Sequence, residues 1–308
     1  MSDNEKELVD LDKEGKIIDI SDEIKSESEK SKKLSCSALI IMIFISLIII
    51  LFGAIFIYLS YLRTKNFILI ITEDSEEISK AASEIISNFI KKKPNCILGL
   101  ITGDIPKNTY KYLVKKYENK EISFENVITY NLDEYIELNQ ENEKSNYYQM
   151  KKNLFDHINI KNNNINIFNV GKNSEKEILN FQKKLENIKI NLQFLEIGKH
   201  GQIGFNEPGT LFNSTIRLVN ITDKDIIKKN FRFFNNDISK VPKKIITMGI
   251  HNILSSENIL VIANGYKKAT AIKKLVKGYV DINWPCTSLN GHKGKVYVII
   301  DKEAASEL

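Results

Sequence analysis

Cysteine is scarce here, with three among 308 residues, and the three stand far apart. Cys36 lies in an apolar run, while Cys96 and Cys286 are singles near expected strands or loops. That spacing excludes a disulfide framework and a cysteine-rich metal site, and Cys96 reads as a buried structural thiol. Histidine is equally sparse: His157, His200, His251 and His292 do not cluster. No metal and no cofactor is therefore expected. Internal repeats are lacking, as are nucleic-acid-binding motifs. The net charge of +5 is modest, and lysines alternate with glutamates along the chain. This is the pattern of a solvated surface, and it argues against a nucleic-acid partner.

Two further absences mark the N-terminal region. Residues 1–33 contain no aromatic side chain and are rich in Glu, Asp, Lys and Ser. Such a segment buries too little surface to offset its ordering entropy, so a disordered charged tail is expected. Residues 34–62 then run without one charge. Roughly 20 apolar residues suffice to cross a bilayer, and a cleaved leader would lie nearer the start with a shorter apolar core. A single-pass membrane anchor is the expectation, with Tyr58 and Tyr61 at its far interface. Lys25, Lys30, Lys32 and Lys33 precede the run, and Arg63 and Lys65 follow it. By a small margin this bias places the N-terminus in the cytoplasm. Asn213 and Asn220 begin Asn-X-Ser/Thr sequons, compatible with a domain on the far side. The side on which that domain lies is left open.

From residue 66 onward, apolar runs alternate with amphipathic segments. Strands are expected near 67–72, 97–101, 127–131, 165–170, 192–197, 216–221, 259–263 and 296–301. Helices are expected from 75 to about 93, then near 110–117, 147–158, 174–188, 242–254 and 267–277. This alternation predicts an α/β fold with a doubly wound, mostly parallel sheet and helices on both faces. The domains are thus 1–33, 34–62 and 63–308.

One stretch organises the rest. Gly198-Lys199-His200-Gly201-Gln202-Ile203-Gly204-Phe205-Asn206-Glu207-Pro208-Gly209 follows the strand at 192–197. Its three glycines in seven residues allow a tight turn beyond a strand end, where open α/β sheets bind ligands. The stretch resembles the signature loop of the glucosamine-6-phosphate isomerase/deaminase family, in which Asp-Gly-His precedes Ile-Ala-Phe-Asn-Glu-Pro. The resemblance extends through most of 66–305. Thr129-Tyr130-Asn131-Leu132-Asp133-Glu134-Tyr135 is similar to that family's Thr-Phe-Asn-Met-Asp-Glu-Tyr block. Arg232-Phe233-Phe234, Val241-Pro242-Lys243 and Met248-Gly249 match its later helical region.

The resemblance implies a reaction that opens an amino-sugar phosphate ring, moves a proton between C1 and C2, and releases ammonia, leaving fructose 6-phosphate. It places Asp133 as the proton-shuttling base, in a crevice where a carboxylate acquires the raised pKa this work needs. Glu134 is expected to point elsewhere. Glu207 matches the relay glutamate. Gln202 stands at the relay histidine and His200 at the relay aspartate. An amide has no useful acid/base pKa, so only His200, two residues earlier, offers a substitute. Thr102 and Gly103 belong to the phosphate loop, Thr102-Gly103-Asp104-Ile105-Pro106, in which Asp104 and Ile105 replace small or hydroxyl residues. Arg217 and Lys268 match the cationic phosphate contacts. These replacements imply impaired or altered turnover on a sugar phosphate, within amino-sugar and carbohydrate metabolism. The alternative is an inactive, membrane-anchored binding module. A 6-phosphogluconolactonase-type hydrolase shares the fold, but the Asn-Glu-Pro-Gly turn and the 131–135 block argue against it. Relatives of this type often form hexamers, so a homo-oligomer is a further expectation.

Overall fold

The computed structural model describes residues 9–11, 17–19, 41–54, 66–170, 174–221, 227, 231, 234 and 236–308. The chain divides into two compact units, Met1–Leu62 and Arg63–Leu308. In the first unit, β1 (Val9–Leu11) pairs antiparallel with β2 (Ile17–Asp19). The tail expected to lack regular structure thus carries one short strand pair, where its β-forming Val and Ile residues lie. Residues 41–54 form helix α1, whose large apolar side chains are exposed. Among the described residues no helix is long and apolar enough to cross a membrane. The remainder of the expected 34–62 span lies outside the described residues.

The second unit is built on a seven-stranded sheet. In chain order its strands are β3 (Phe67–Thr72), β4 (Ile97–Leu100), β5 (Ile128–Asn131), β7 (Ile165–Asn166), β8 (Leu192–Glu196), β11 (Ile259–Ala263) and β12 (Val296–Asp301). In space they run β3-β12-β11-β8-β4-β5-β7, and every pairing is parallel. The main helices are α2 (Ser75–Lys92), α3 (Asp104–Glu118), α4 (Asn146–Asn153), α5 (Ser174–Glu186), α6 (Ile250–Leu254) and α7 (Ala269–Lys277). From β4 the chain winds outward to β5 and β7, then returns to β8 on β4's other flank and winds toward β3. Right-handed crossovers in opposite directions put helices on both faces. They also make the β4/β8 boundary the topological switch point, the usual ligand crevice of such sheets.

Local sequence explains the elements. The Asp74 carboxylate accepts hydrogen bonds from the backbone N–H groups of Glu76 and Glu77, capping α2. That helix carries acids in its first turn and lysines in its last, complementing the dipole. Its Ile78, Ala82, Ile86 and Ile90 recur at helical spacing and are buried. Strand β11, Ile-Leu-Val-Ile-Ala, is buried at every position, as a central parallel strand must be.

A second sheet departs from the expected pattern. β6 (Asp133–Tyr135), β9 (Arg217–Asn220) and β10 (Lys244–Thr247) form an antiparallel set ordered β6-β10-β9. The expected helix over 242–254 is therefore strand β10 followed by the short α6. Lys244-Ile245-Ile246-Thr247 buries its last three residues between two partner strands, and β-branched side chains favour that placement. Val241-Pro242-Lys243 accordingly leads into a strand. Arg232 and Phe233 lie outside the described residues. The helix expected near 147–158 is α4 followed by a 3₁₀ turn at Phe155–His157.

Candidate functional site

The site gathers at the carboxyl ends of β4 and β8 and on the small sheet beside them. Leu132 follows β5 directly and is tied into the crevice by two backbone bonds. Its N–H donates to Leu100 O at 2.9 Å, and its own carbonyl accepts from Met248 N–H at 2.9 Å. Asp133, next in the chain, opens β6 and faces Thr247 of β10. Thr247 in turn faces Arg217 of β9. In-register residues on neighbouring strands share a face, so Asp133, Thr247 and Arg217 form one row.

Asp133 is 8% exposed. Burial, reinforced by the adjacent Glu134 charge, pushes its carboxyl up to about 7, while a hydrogen bond from Asn146 opposes the rise. Asn146 Nδ2 donates to Asp133 Oδ1 at 2.7 Å and to Asp133 O at 3.0 Å. Its Oδ1 accepts from Thr102 Oγ1 at 2.9 Å. One amide therefore joins Thr102, the threonine expected in a phosphate loop, to the candidate base. Glu134 points elsewhere, as expected. It is fully buried and accepts from the N–H groups of Tyr135, Asn146 and Tyr147, fixing the start of α4. Burial raises its carboxyl to about 7 as well, against the pull of those three donors.

The Gly-rich loop folds back on itself. Gly198 N–H donates to Gln202 O at 2.8 Å, and Ile203 bridges to Ile197 and Asn206. Gly201 has φ +75°, and an added Cβ would stand 3.0 Å from Trp284 Cε3 and 3.1 Å from Cys286 Sγ. Only glycine meets both demands without strain. Gln202 is buried, and its Oε1 accepts from His200 N–H at 2.8 Å. His200 itself is exposed. The two residues share a turn, but one side chain faces the interior and the other faces water.

Asn206 is fully buried. Its Nδ2 donates to Ile203 O and Met248 O, and its Oδ1 accepts from Arg217 Nη1 at 2.9 Å. Arg217 thus secures the residue that precedes Glu207. Both Arg217 and Glu207 line an open depression of about 580 Å³ with Phe205, Leu211 and Ser214. Its lining does not include Asp133, Gln202 or Lys268.

On the other side of the crevice, Gly103 precedes α3 and Asp104 begins it, exposed. Gly103 has φ +155° and ψ 176°, a combination essentially reserved for glycine. Lys268 ends the 3₁₀ turn after β11, and its Nζ donates to Ile197 O at 2.5 Å. The same ammonium lies 3.7 Å from Glu196 Oε1. Lys267, its neighbour, is exposed.

Thr102 and Asp133 are joined through Asn146, and Arg217 is brought to the Glu207 loop. Lys268 stands at the end of β8, and His200 is directed outward. Sequence reasoning missed Asn146 and Glu196. Asn146 follows Ser145, whose hydroxyl accepts from Tyr148 N–H as the cap of α4, so a helix start was legible there. No local signal connects it to Asp133, 13 residues earlier. Among the described residues no cluster of His, Cys, Asp and Glu could hold a metal.

Comparison with known proteins identifies the family. The family profile described as glucosamine-6-phosphate isomerases/6-phosphogluconolactonase matches residues 72–298. A glucosamine-6-phosphate deaminase of Mycoplasma mycoides is 45% identical over 240 residues, covering 78% of this chain and 97% of that protein. One from Clostridium novyi is 46% identical over 239 residues, covering 77% and 98%. Among solved structures, a monomeric glucosamine-6-phosphate deaminase superposes with a TM-score of 0.74 at 37% identity, covering 78% of this chain and all of that one. A 6-phosphogluconolactonase of Trypanosoma brucei, at 16% identity and TM-score 0.63 over 78% and 98%, shares the fold. The chain belongs to the glucosamine-6-phosphate isomerase/6-phosphogluconolactonase family.

Proposed function

We propose that the domain acts on glucosamine 6-phosphate, isomerising and deaminating it to fructose 6-phosphate and ammonia with one water consumed. The observation that carries this reading is Asp133, a buried carboxyl raised to about 7 and held by Asn146 beside the phosphate loop. A base with a pKa near the working pH can take the C2 proton of the open-chain aldehyde and return it at C1. The product is a 2-imine, which water hydrolyses to the ketose and ammonia. Thr102, Gly103 and Lys268 would meet the phosphate, and Arg217 would steady Asn206 and Glu207.

Ring opening is the altered step. It needs a proton carrier at the ring oxygen, and Gln202 supplies an amide committed to the His200 N–H. Glu207 is the carboxylate this loop retains, and it lines the open depression beside Arg217. Turnover is accordingly slower than where a histidine fills position 202, by the 10²–10⁴ typical of a lost general acid–base. Release of ammonia and fructose 6-phosphate by the purified full chain, with D133N as control, tests the assignment. Turnover abolished in D133N supports it. Absence of turnover in the parent chain, with no thermal shift on adding glucosamine 6-phosphate, refutes it and leaves the membrane-anchored binding module. We propose further that residues 34–62 anchor the chain in a membrane. The 29-residue uncharged run and the exposed apolar side chains of α1 support this.

A further inference from the structure

Glu196 closes β8 at the switch point, and neither side of it is neutral ground. On one flank it pairs in register with Ile262 of β11, the strand that leads to Lys268. On the other flank β8 runs beside β4, with Gly99 opposite Gln193. Beyond the paired residues, the Glu196 side chain approaches the Gly103 turn that follows β4. The carboxylate reaches both ways. Its Oε1 lies 3.7 Å from Lys268 Nζ, and its Oε2 lies 3.1 Å from where a Cβ on Gly103 would stand. Its side chain is 27% exposed and that of Lys268 18%, so the pair is partly shielded from water. One carboxylate and one ammonium thus meet at this end of the crevice.

We propose that Glu196 is a specificity-determining residue that competes with the substrate's phosphate for Lys268. The inference rests on the reading of Lys268 and the Gly103 turn as the phosphate subsite. A phosphate dianion and the Glu196 carboxylate are chemically alike: each offers oxygens to an ammonium and to the N–H groups at a helix start. Both cannot hold Lys268 at contact distance without repulsion between them. Phosphate entry therefore requires Glu196 to turn away, and this lowers affinity for phosphorylated sugars without touching the reacting carbons.

Binding of inorganic phosphate to the full chain, followed by calorimetry and by thermal shift, tests this without any turnover. E196Q keeps the shape and removes the charge, and E196A removes the oxygens as well. Because the side chain is partly exposed at a strand end, both variants are expected to keep the parent's circular dichroism. Phosphate should bind each about tenfold more tightly than it binds the parent. For glucosamine 6-phosphate the Michaelis constant should fall by a similar factor, with kcat within about twofold of the parent. Phosphate affinity in both variants within twofold of the parent would overturn the proposal. Tighter phosphate binding in a chain that releases no ammonia would uphold the role of Glu196 and refute the deaminase reading. Ammonia release with unchanged phosphate affinity would do the reverse.

Discussion

At the scale of single residues, the decisive group is Asp133. Its carboxyl is held near 7 in the fold against an ordinary value of 3.8, so between about pH 4 and pH 7 the folded chain holds a proton that the unfolded chain has released. Stability then falls as pH rises through this window and levels off above it. Asparagine mimics the protonated acid and cannot ionise. D133N should therefore gain on the parent by on the order of 4 kcal/mol at pH 8, with no gain below about pH 4. Urea unfolding at pH 4, 6 and 8 measures the difference, and a gap that does not vary with pH would refute the assignment. Asp133 and its neighbours were readable from sequence because the block from Thr129 to Tyr135 is contiguous. Asn146 and Glu196 were not, since their roles arise only when β5, α4, β4 and β8 are brought side by side.

At the scale of elements, the parallel sheet was legible because each buried strand is a short apolar run bounded by turn residues. The small antiparallel sheet was not. Ile245-Ile246-Thr247 satisfies a helix pattern as readily as a strand, and the choice was settled by β6 and β9 offering two edges. The Gly-rich loop was legible in composition, yet its geometry depends on Trp284 and Cys286, more than 80 residues later. G201A should cost about 2 kcal/mol or more, since it combines a positive φ with contacts tighter than a Cβ tolerates. A lowered Tm together with reduced turnover is the expected result. An unchanged Tm would mean that the loop is looser than its packing indicates.

At the scale of the whole chain, the two units pose separate questions. The second unit carries every residue of the candidate site. The first contributes an apolar segment with no counterpart in the deaminase reaction, and its residues 41–54 are helical with their large apolar side chains exposed. If residues 34–62 act as an anchor, the full chain should stay with the membrane fraction after alkaline carbonate washing and be released only by detergent. Removing residues 34–62 should transfer it to the supernatant. Release of the full chain by carbonate alone would refute the anchor.

The Asn146 amide, shared between Thr102 and Asp133, has a consequence for how the two ends of a substrate communicate. If Thr102 meets the substrate's phosphate as proposed, a ligand that draws its hydroxyl away also reorients the amide that steadies the carboxylate. Occupancy at one end and proton affinity at the other are thereby linked, and linkage of this kind is reciprocal. Energy released at a remote, unreacting group is then spent on the reacting carbons. A sugar lacking its phosphate would lose rate at saturation as well as grip.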